Sequence, residues 1–250
     1  MNALPPLTAE QVMRAWEQGA GAPPPQQALS ILDCASDGGG AHLATLSVGE
    51  RDRLLLRLRA DTFGSTMTMR IACPRCGRVV RAAVDVSDVE QSGAQAVGDD
   101  FGGERELRHD GWTLRYRLPT AGDALEMSHS GGTEAARALL LRRCVSSAFE
   151  EDRVEVDPGR LPEAVVDALA EALEAWDPLI ETALAMECGA CAHVWHAILE
   201  IAQFLHAEIA DAASRLIREV DELARRYNWR EADILGMSAA RRQAYLNLTG

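Results

Sequence analysis

The spacing of apolar residues along this chain switches four times between a helical and a strand period, which divides it into segments 1–64, 65–119, 120–178, 179–201 and 202–250. In the first, Thr8-Ala9-Glu10-Gln11 has the Thr-x-x-Gln spacing of a capping box and opens a short helix through Val12, Met13 and Trp16 that stops at Gly19-Ala20-Gly21. A second short helix after Pro23-Pro24-Pro25 carries Leu29, Ile31 and Leu32 as far as Gly38-Gly39-Gly40. Ser47-Val48-Gly49-Glu50 then caps a third through Leu54, Leu55 and Leu58.

From Met67 the pattern shortens to strand-like runs, Met67 to Ile71 and Val79 to Val86, with Cys73-Pro74-Arg75-Cys76-Gly77 between them. Ser92 to Gly103, rich in Gly and Asp, reads as a mobile loop. Leu107 on one side of Asp110-Gly111, and Trp112, Leu114, Tyr116 and Leu118 on the other, predict a further hairpin. Thr120 to Phe149 and Leu161 to Trp176 read as helix, the second ended by Asp177-Pro178.

The strand, knuckle, strand plan then recurs: Leu184 to Met186, Cys188-Gly189-Ala190-Cys191, and Val194 to Ile201. Cys188 follows Cys73 by 115 positions, and at that offset Cys76 falls on Cys191, Val79 on Val194, Val84 on Leu199 and Val86 on Ile201. A long helix from Ile201 to Tyr227 follows from the stripe Leu205, Ile209, Ala212, Leu216, Val220, Leu223 and Tyr227. Two short helices close the chain, Glu231 to Gly236 and Ser238 to Leu248, with Ser238 as N-cap. The expected fold class is α+β: mostly helical, with a ribbon of two β-hairpin knuckles, one further β-hairpin and a long C-terminal helix.

Composition narrows the function. The 250 residues carry 25 basic and 38 acidic side chains, a formal net charge of −13 that repels polyphosphate. Every basic residue is Arg, which removes P-loop, Schiff-base and lysine-base chemistry. No apolar run approaches the length of a membrane span, and the N-terminus shows no leader, so cytoplasmic residence is expected, with incorporation into a released particle compatible with it. Six cysteines in a reducing compartment are thiols or metal ligands.

A single Cys-x-x-Cys supplies two thiolates where structural zinc takes four ligands, so each knuckle alone leaves the ion half coordinated. Packed face to face, the two hairpins complete a tetrahedral set, and Cys73, Cys76, Cys188 and Cys191 are assigned to one structural Zn²⁺. The competing local site, Cys188 and Cys191 with His193 and His196, leaves the first knuckle unexplained. A thioredoxin-like redox pair needs a helix N-terminus, whereas both pairs sit between strands. Cys34 and Cys144 lie in apolar helical neighbourhoods as small buried hydrophobes.

The sequence has no Gly-x-Ser-x-Gly, His-Glu-x-x-His, Walker A or Gly-x-Gly-x-x-Gly, and four thiolates leave zinc no open position, so catalysis is not expected. His193 and His196 read as rim residues of the second knuckle, and His42, His109, His129 and His206 as surface residues. The run Arg51 to Arg59 reads as a solvated face opposite a leucine stripe. Arg70, Arg75, Arg78 and Arg81 around the first knuckle form a denser cluster, the best basis for the alternative of a zinc-ribbon nucleic-acid or transcription-associated adaptor.

Several stretches taken together resemble a known bacterial family. These are the leucine-rich helix ending in Phe63-Gly64, the first knuckle with Val84-Asp85-Val86 after it, Leu114 to Asp123 with its Pro119-Thr120-Ala121-Gly122-Asp123, the second knuckle through Trp195, and the terminal run Tyr227 to Leu246. The family is a zinc-ribbon family encoded in clusters for phage-tail-like contractile injection systems, distantly similar to phage baseplate and baseplate-hub assembly chaperone proteins. The resemblance implies a non-enzymatic baseplate or assembly role, with four metal ligands and partners among baseplate or tail proteins rather than membrane, nucleic acid or a small-molecule substrate. Tyr227, Trp229, Ile234, Met237, Arg241 and Tyr245, with Arg residues interleaved, have the composition of a protein interface, so the C-terminal arm is the expected docking element.

Overall fold

The structure, a computed structural model, describes residues 4–36, 40–93, 101–151 and 154–248. Helices α1 (Ala9–Gly19), α2 (Pro24–Ala35) and α3 (Val48–Phe63) open the chain, with a 3₁₀ turn at Gly40–Thr45. Both expected capping boxes form: Thr8 with Gln11 on α1, and Ser47 with Glu50 on α3. Next come β1 (Thr66–Ala72), β2 (Val79–Asp85), α4 (Val86–Gly93), β3 (Arg105–His109), β4 (Trp112–Tyr116), α5 (Ala121–Ser128), α6 (Thr133–Cys144), β5 (Val145–Glu150) and β6 (Val154–Glu155). α7 (Glu163–Trp176), β7 (Ala183–Glu187), β8 (Val194–Ile198), α8 (Ile201–Tyr227), α9 (Glu231–Leu235) and α10 (Ala239–Asn247) complete the α+β fold. Among the described residues, no helix is long and apolar enough to cross a membrane.

Two hydrophobic cores organise these elements. In the first, Ile31, Leu32, Leu55 and Leu58 of the N-terminal helices meet Leu205, Ile209, Ala213 and Leu216 of α8, and Met67, Met69, Val86 and Val89 around the first hairpin join them. Arg59 of α3, also buried, makes a two-pronged ion pair with Glu208 of α8 at 2.7 and 2.9 Å. In the second, α6 and α7 cover an antiparallel sheet of order β3-β4-β5-β6, with Leu114, Tyr116, Ala148, Val165, Leu169 and Trp176 inside.

The cores are joined at Pro119-Thr120-Ala121-Gly122-Asp123. Val48 donates its N–H to the Pro119 carbonyl (3.0 Å) and Ala121 to that of Leu46 (2.9 Å), so this segment runs antiparallel to the entry of α3. Thr120 and Asp123 form a third capping box, on α5. A Cβ at Gly122 would lie 3.0 Å from the Ala44 carbonyl oxygen, so only glycine allows this approach without displacement.

Several elements differ from the expectation. The run Thr120 to Phe149 is not one helix: Gly131-Gly132 breaks it, with Gly132 at φ +128°, and from Val145 the chain is a strand that pairs with β4. The free edge of β4 captures Val145–Glu150, a tertiary pairing that outweighs the local helical pattern. The further hairpin is therefore part of a four-stranded sheet. Strand β2 ends at Asp85, whose carboxylate accepts from the Ser87 N–H (2.9 Å) and opens α4 as far as Gly93. The rest of the stretch read as a loop lies mainly outside the described residues. Likewise β8 stops at Ile198, three residues short.

Candidate metal centre

The two hairpins repeat each other at the backbone. Ala72 pairs with Val79, and Glu187 with Val194, so each ladder closes at the same place relative to its cysteines. Cys73 donates its N–H to the Arg78 carbonyl and Cys188 to that of His193, both at 2.9 Å. Gly77 returns an N–H to Cys73 (2.9 Å) and Ala192 to Cys188 (2.8 Å). The turn requires a left-handed residue at this last position. The first knuckle uses Gly77 at φ +72°, whereas the second holds Ala192 at φ +54°. A helix follows each hairpin at the same offset of 115, beginning at Val86 and at Ile201.

Packed together, the knuckles bring four sulfurs within 4.8 Å of one another. Cys73 Sγ lies 3.7 Å from Cys191 Sγ, and Cys76 Sγ 3.7 Å from Cys188 Sγ, so each close pair takes one sulfur from each hairpin. Tetrahedral zinc with Zn–S bonds of about 2.3 Å sets its sulfurs roughly 3.8 Å apart, and the two cross-hairpin pairs at 3.7 Å match that edge. Cys73 and Cys188 are buried, Cys191 is half-buried and Cys76 exposed. The backbone N–H of Ala190, followed by that of Cys191, pulls the Cys188 thiol down to about 6. Cys191 accepts the backbone N–H of His193, yet burial and the adjoining sulfurs push it up to about 12. One negative charge in the cluster thus opposes the next, and a cation among the sulfurs would remove that opposition.

Neither His193 nor His196 joins the cluster. The His193 ring stacks on Trp195 at 5.9 Å, and His196 is exposed on β8. Cys34 and Cys144 are buried elsewhere, and burial pushes the first thiol up and the second to about 12, the mark of unreactive core thiols. The run Arg51 to Arg59 is not the solvated face its sequence implies. Arg51 and Arg59 are buried in ion pairs with Asp52 and Glu208, Arg57 binds Glu90, and Arg53 covers the Phe101 ring at 5.1 Å.

At the chain end, Tyr227, Trp229 and Tyr245 form a half-buried three-ring cluster with centroids 4.5 to 5.6 Å apart, and exposed Arg241 lies 5.9 Å from the Tyr245 ring. Asn228, left-handed at φ +55°, turns the chain back on α8. Met237 is half-buried and its carbonyl accepts from Arg242, which also pairs with Glu219 of α8 at 2.8 Å. Ile234 corrects the sequence reading: it is fully buried and therefore belongs to the packing beneath the tip rather than to a docking surface. The sequence reading also passed over Asp123, which ties Arg117 and Arg143 to the start of α5. The signal for it was the Thr120-x-x-Asp123 spacing.

Fold and site together define an α+β scaffold with two cores, built around a pair of hairpins whose four cysteines, two from each, could hold a metal ion. The chain belongs to the family described as T4 bacteriophage base plate protein, whose model matches residues 26–206, more than half of its length. That span takes in both knuckles, the second core and the part of the first core that runs from Ala28 to Leu205. No curated protein and no solved structure matches the chain. Family membership supports a baseplate-related structural role among phage tail or baseplate proteins.

Proposed function

We propose that the chain is a non-enzymatic, zinc-stabilised component or assembly chaperone of the baseplate of a phage-tail-like contractile injection particle. Made in the cytoplasm, it would bind other baseplate or tail proteins there. The family match across both knuckles is the observation that carries the role. The sulfur cluster supports zinc: four thiolate donors within 4.8 Å of one another, two pairs of them 3.7 Å apart, suit an ion that needs no open position. When bound, such an ion cross-links residues 115 positions apart and contributes folding free energy, on the order of 10 kcal/mol in small isolated sites. The half-buried aromatic tip at Tyr227, Trp229 and Tyr245, with Met237 and Arg241 beside it, is the proposed partner surface.

The role is tested by purifying intact particles from the producing cell and identifying their chains by mass spectrometry. Recovery of this chain with the baseplate supports a component. Its absence from mature particles, with assembly failing when it is deleted, supports a chaperone. Normal, active particles without it would refute both.

A further inference from the structure

The outer face of the first hairpin is electrostatically self-opposed. Arg70 on β1 stands directly across the ladder from Arg81 on β2, and Arg75 and Arg78 crowd the adjoining knuckle. All four are exposed, and none makes a salt bridge among the described residues. Like charges directly opposite one another destabilise a ladder, so the arrangement costs the fold stability.

The second hairpin shows that the scaffold does not require it. At the 115-residue offset, Arg70, Arg75, Arg78 and Arg81 correspond to Ala185, Ala190, His193 and His196. Ala185 and His196 face each other across the second ladder as Arg70 and Arg81 do across the first. The same backbone is thus built in this molecule without the charge.

A complementary face lies on α7. Its sequence, EAVVDALAEALEAW, holds four carboxylates and no basic residue. Glu163, Asp167, Glu171 and Glu174 recur at helical spacing on the side opposite buried Val165, Leu169 and Trp176. Glu163 is held by Arg137, but Asp167, Glu171 and Glu174 are exposed and make no salt bridge among the described residues. The stripe repels itself at i,i+4 as the arginines do across their ladder.

We infer that the arginine face of the first hairpin docks on the acidic face of α7 in a second copy of this chain. Cross-strand neighbours stand about 5 Å apart and helical i,i+4 neighbours about 6 Å, so two facing arginines can meet successive carboxylates. Each repulsion is relieved by the other face. Nucleic acid fits less well: the chain carries −13 overall, and the hairpin's exposed face has no aromatic side chain on which a base could stack. Because the two faces differ, the contact is head-to-tail, the kind that closes into a ring or continues as a filament.

The test is sedimentation velocity on the full metal-replete chain at roughly 50 and 500 mM salt, which brackets strong and weak screening. Concentration-dependent association is expected at low salt, weakened at least tenfold at high salt. The variant R70A/R75A/R78H/R81H, which copies the second hairpin, should stay folded and metal-replete yet remain monomeric. R70E/R81E and D167R/E171R should each be monomeric alone and should associate when mixed. A monomeric wild type at every concentration would overturn the inference, as would association indifferent to these changes or loss of metal from the quadruple variant. So would tight binding of a single-stranded oligonucleotide that the quadruple variant loses while its self-association is unchanged.

Discussion

Asp123 and Asp177 are both fully buried, and their surroundings drive them in opposite directions. Burial alone would lift Asp123. The Arg117 fork at 2.7 and 3.2 Å, the Thr120 backbone and Arg143 outweigh it and hold this carboxyl well below the usual range. Its folded value is depressed, so its contribution to stability is complete above about pH 4 and is lost as pH falls below that. Asp177 has the Ser47 hydroxyl at 3.0 Å and the Leu179 N–H, but burial dominates and raises it. A raised carboxyl has the reverse linkage: stability is lost as pH climbs from about 4 through the folded value. Asp123→Asn should therefore cost about 2 kcal/mol at neutral pH in urea unfolding, because it leaves two arginines half satisfied. Asp177→Asn should be neutral or stabilising under the same conditions. Equal losses from both would contradict this pairing.

At the scale of elements, the knuckles make a sharper comparison than either does alone. A Cβ at Gly77 meets nothing within 4 Å, so Gly77→Ala introduces only left-handed strain, and the second knuckle already carries that strain at Ala192. The change should cost about 1 kcal/mol in thermal or urea unfolding and leave bound metal unchanged. Metal loss from this variant would show that the two turns are not equivalent. In the C-terminal arm, Ile234→Ala should cost about 3 kcal/mol of stability as a core truncation. Trp229→Ala, at a half-buried surface ring, should cost less stability and reduce co-purification with partner chains.

Much of this level was legible in the sequence. Hydrophobic periodicity placed α8 at Ile201–Tyr227, and capping spacing placed the starts of α1, α3 and α10. The 115-residue offset foretold the shared register of the two hairpins. What escaped depended on distant partners. β5 is a strand because β4 offers an edge, and α4 begins where the Asp85 side chain caps it. Composition alone assigns Ile234 to an interface because it cannot distinguish an apolar residue that faces a partner from one buried within the chain.

For the whole molecule, the two cores are held by local devices at their junction, the Pro119 to Asp123 segment and the Ser47–Asp177 hydrogen bond. Gly49 lies against the same aspartate, and a Cβ there would collide with its carboxylate. Gly49→Ala should therefore push Asp177 out of place and lower the thermal midpoint of the whole chain rather than of one core. The hairpins flank the second core in sequence: the first ends before β3 and the second begins after α7. A metal ion between them would close the intervening chain into a loop, independently of the junction.

The most direct test of that closure is elemental analysis of the purified chain and its cysteine variants. About one zinc per chain is expected in the wild type and in Cys34→Ser, with none retained by Cys73→Ser or by Cys188→Ser. Full zinc retention by Cys73→Ser would contradict a site shared between the knuckles and return the metal to the second knuckle alone.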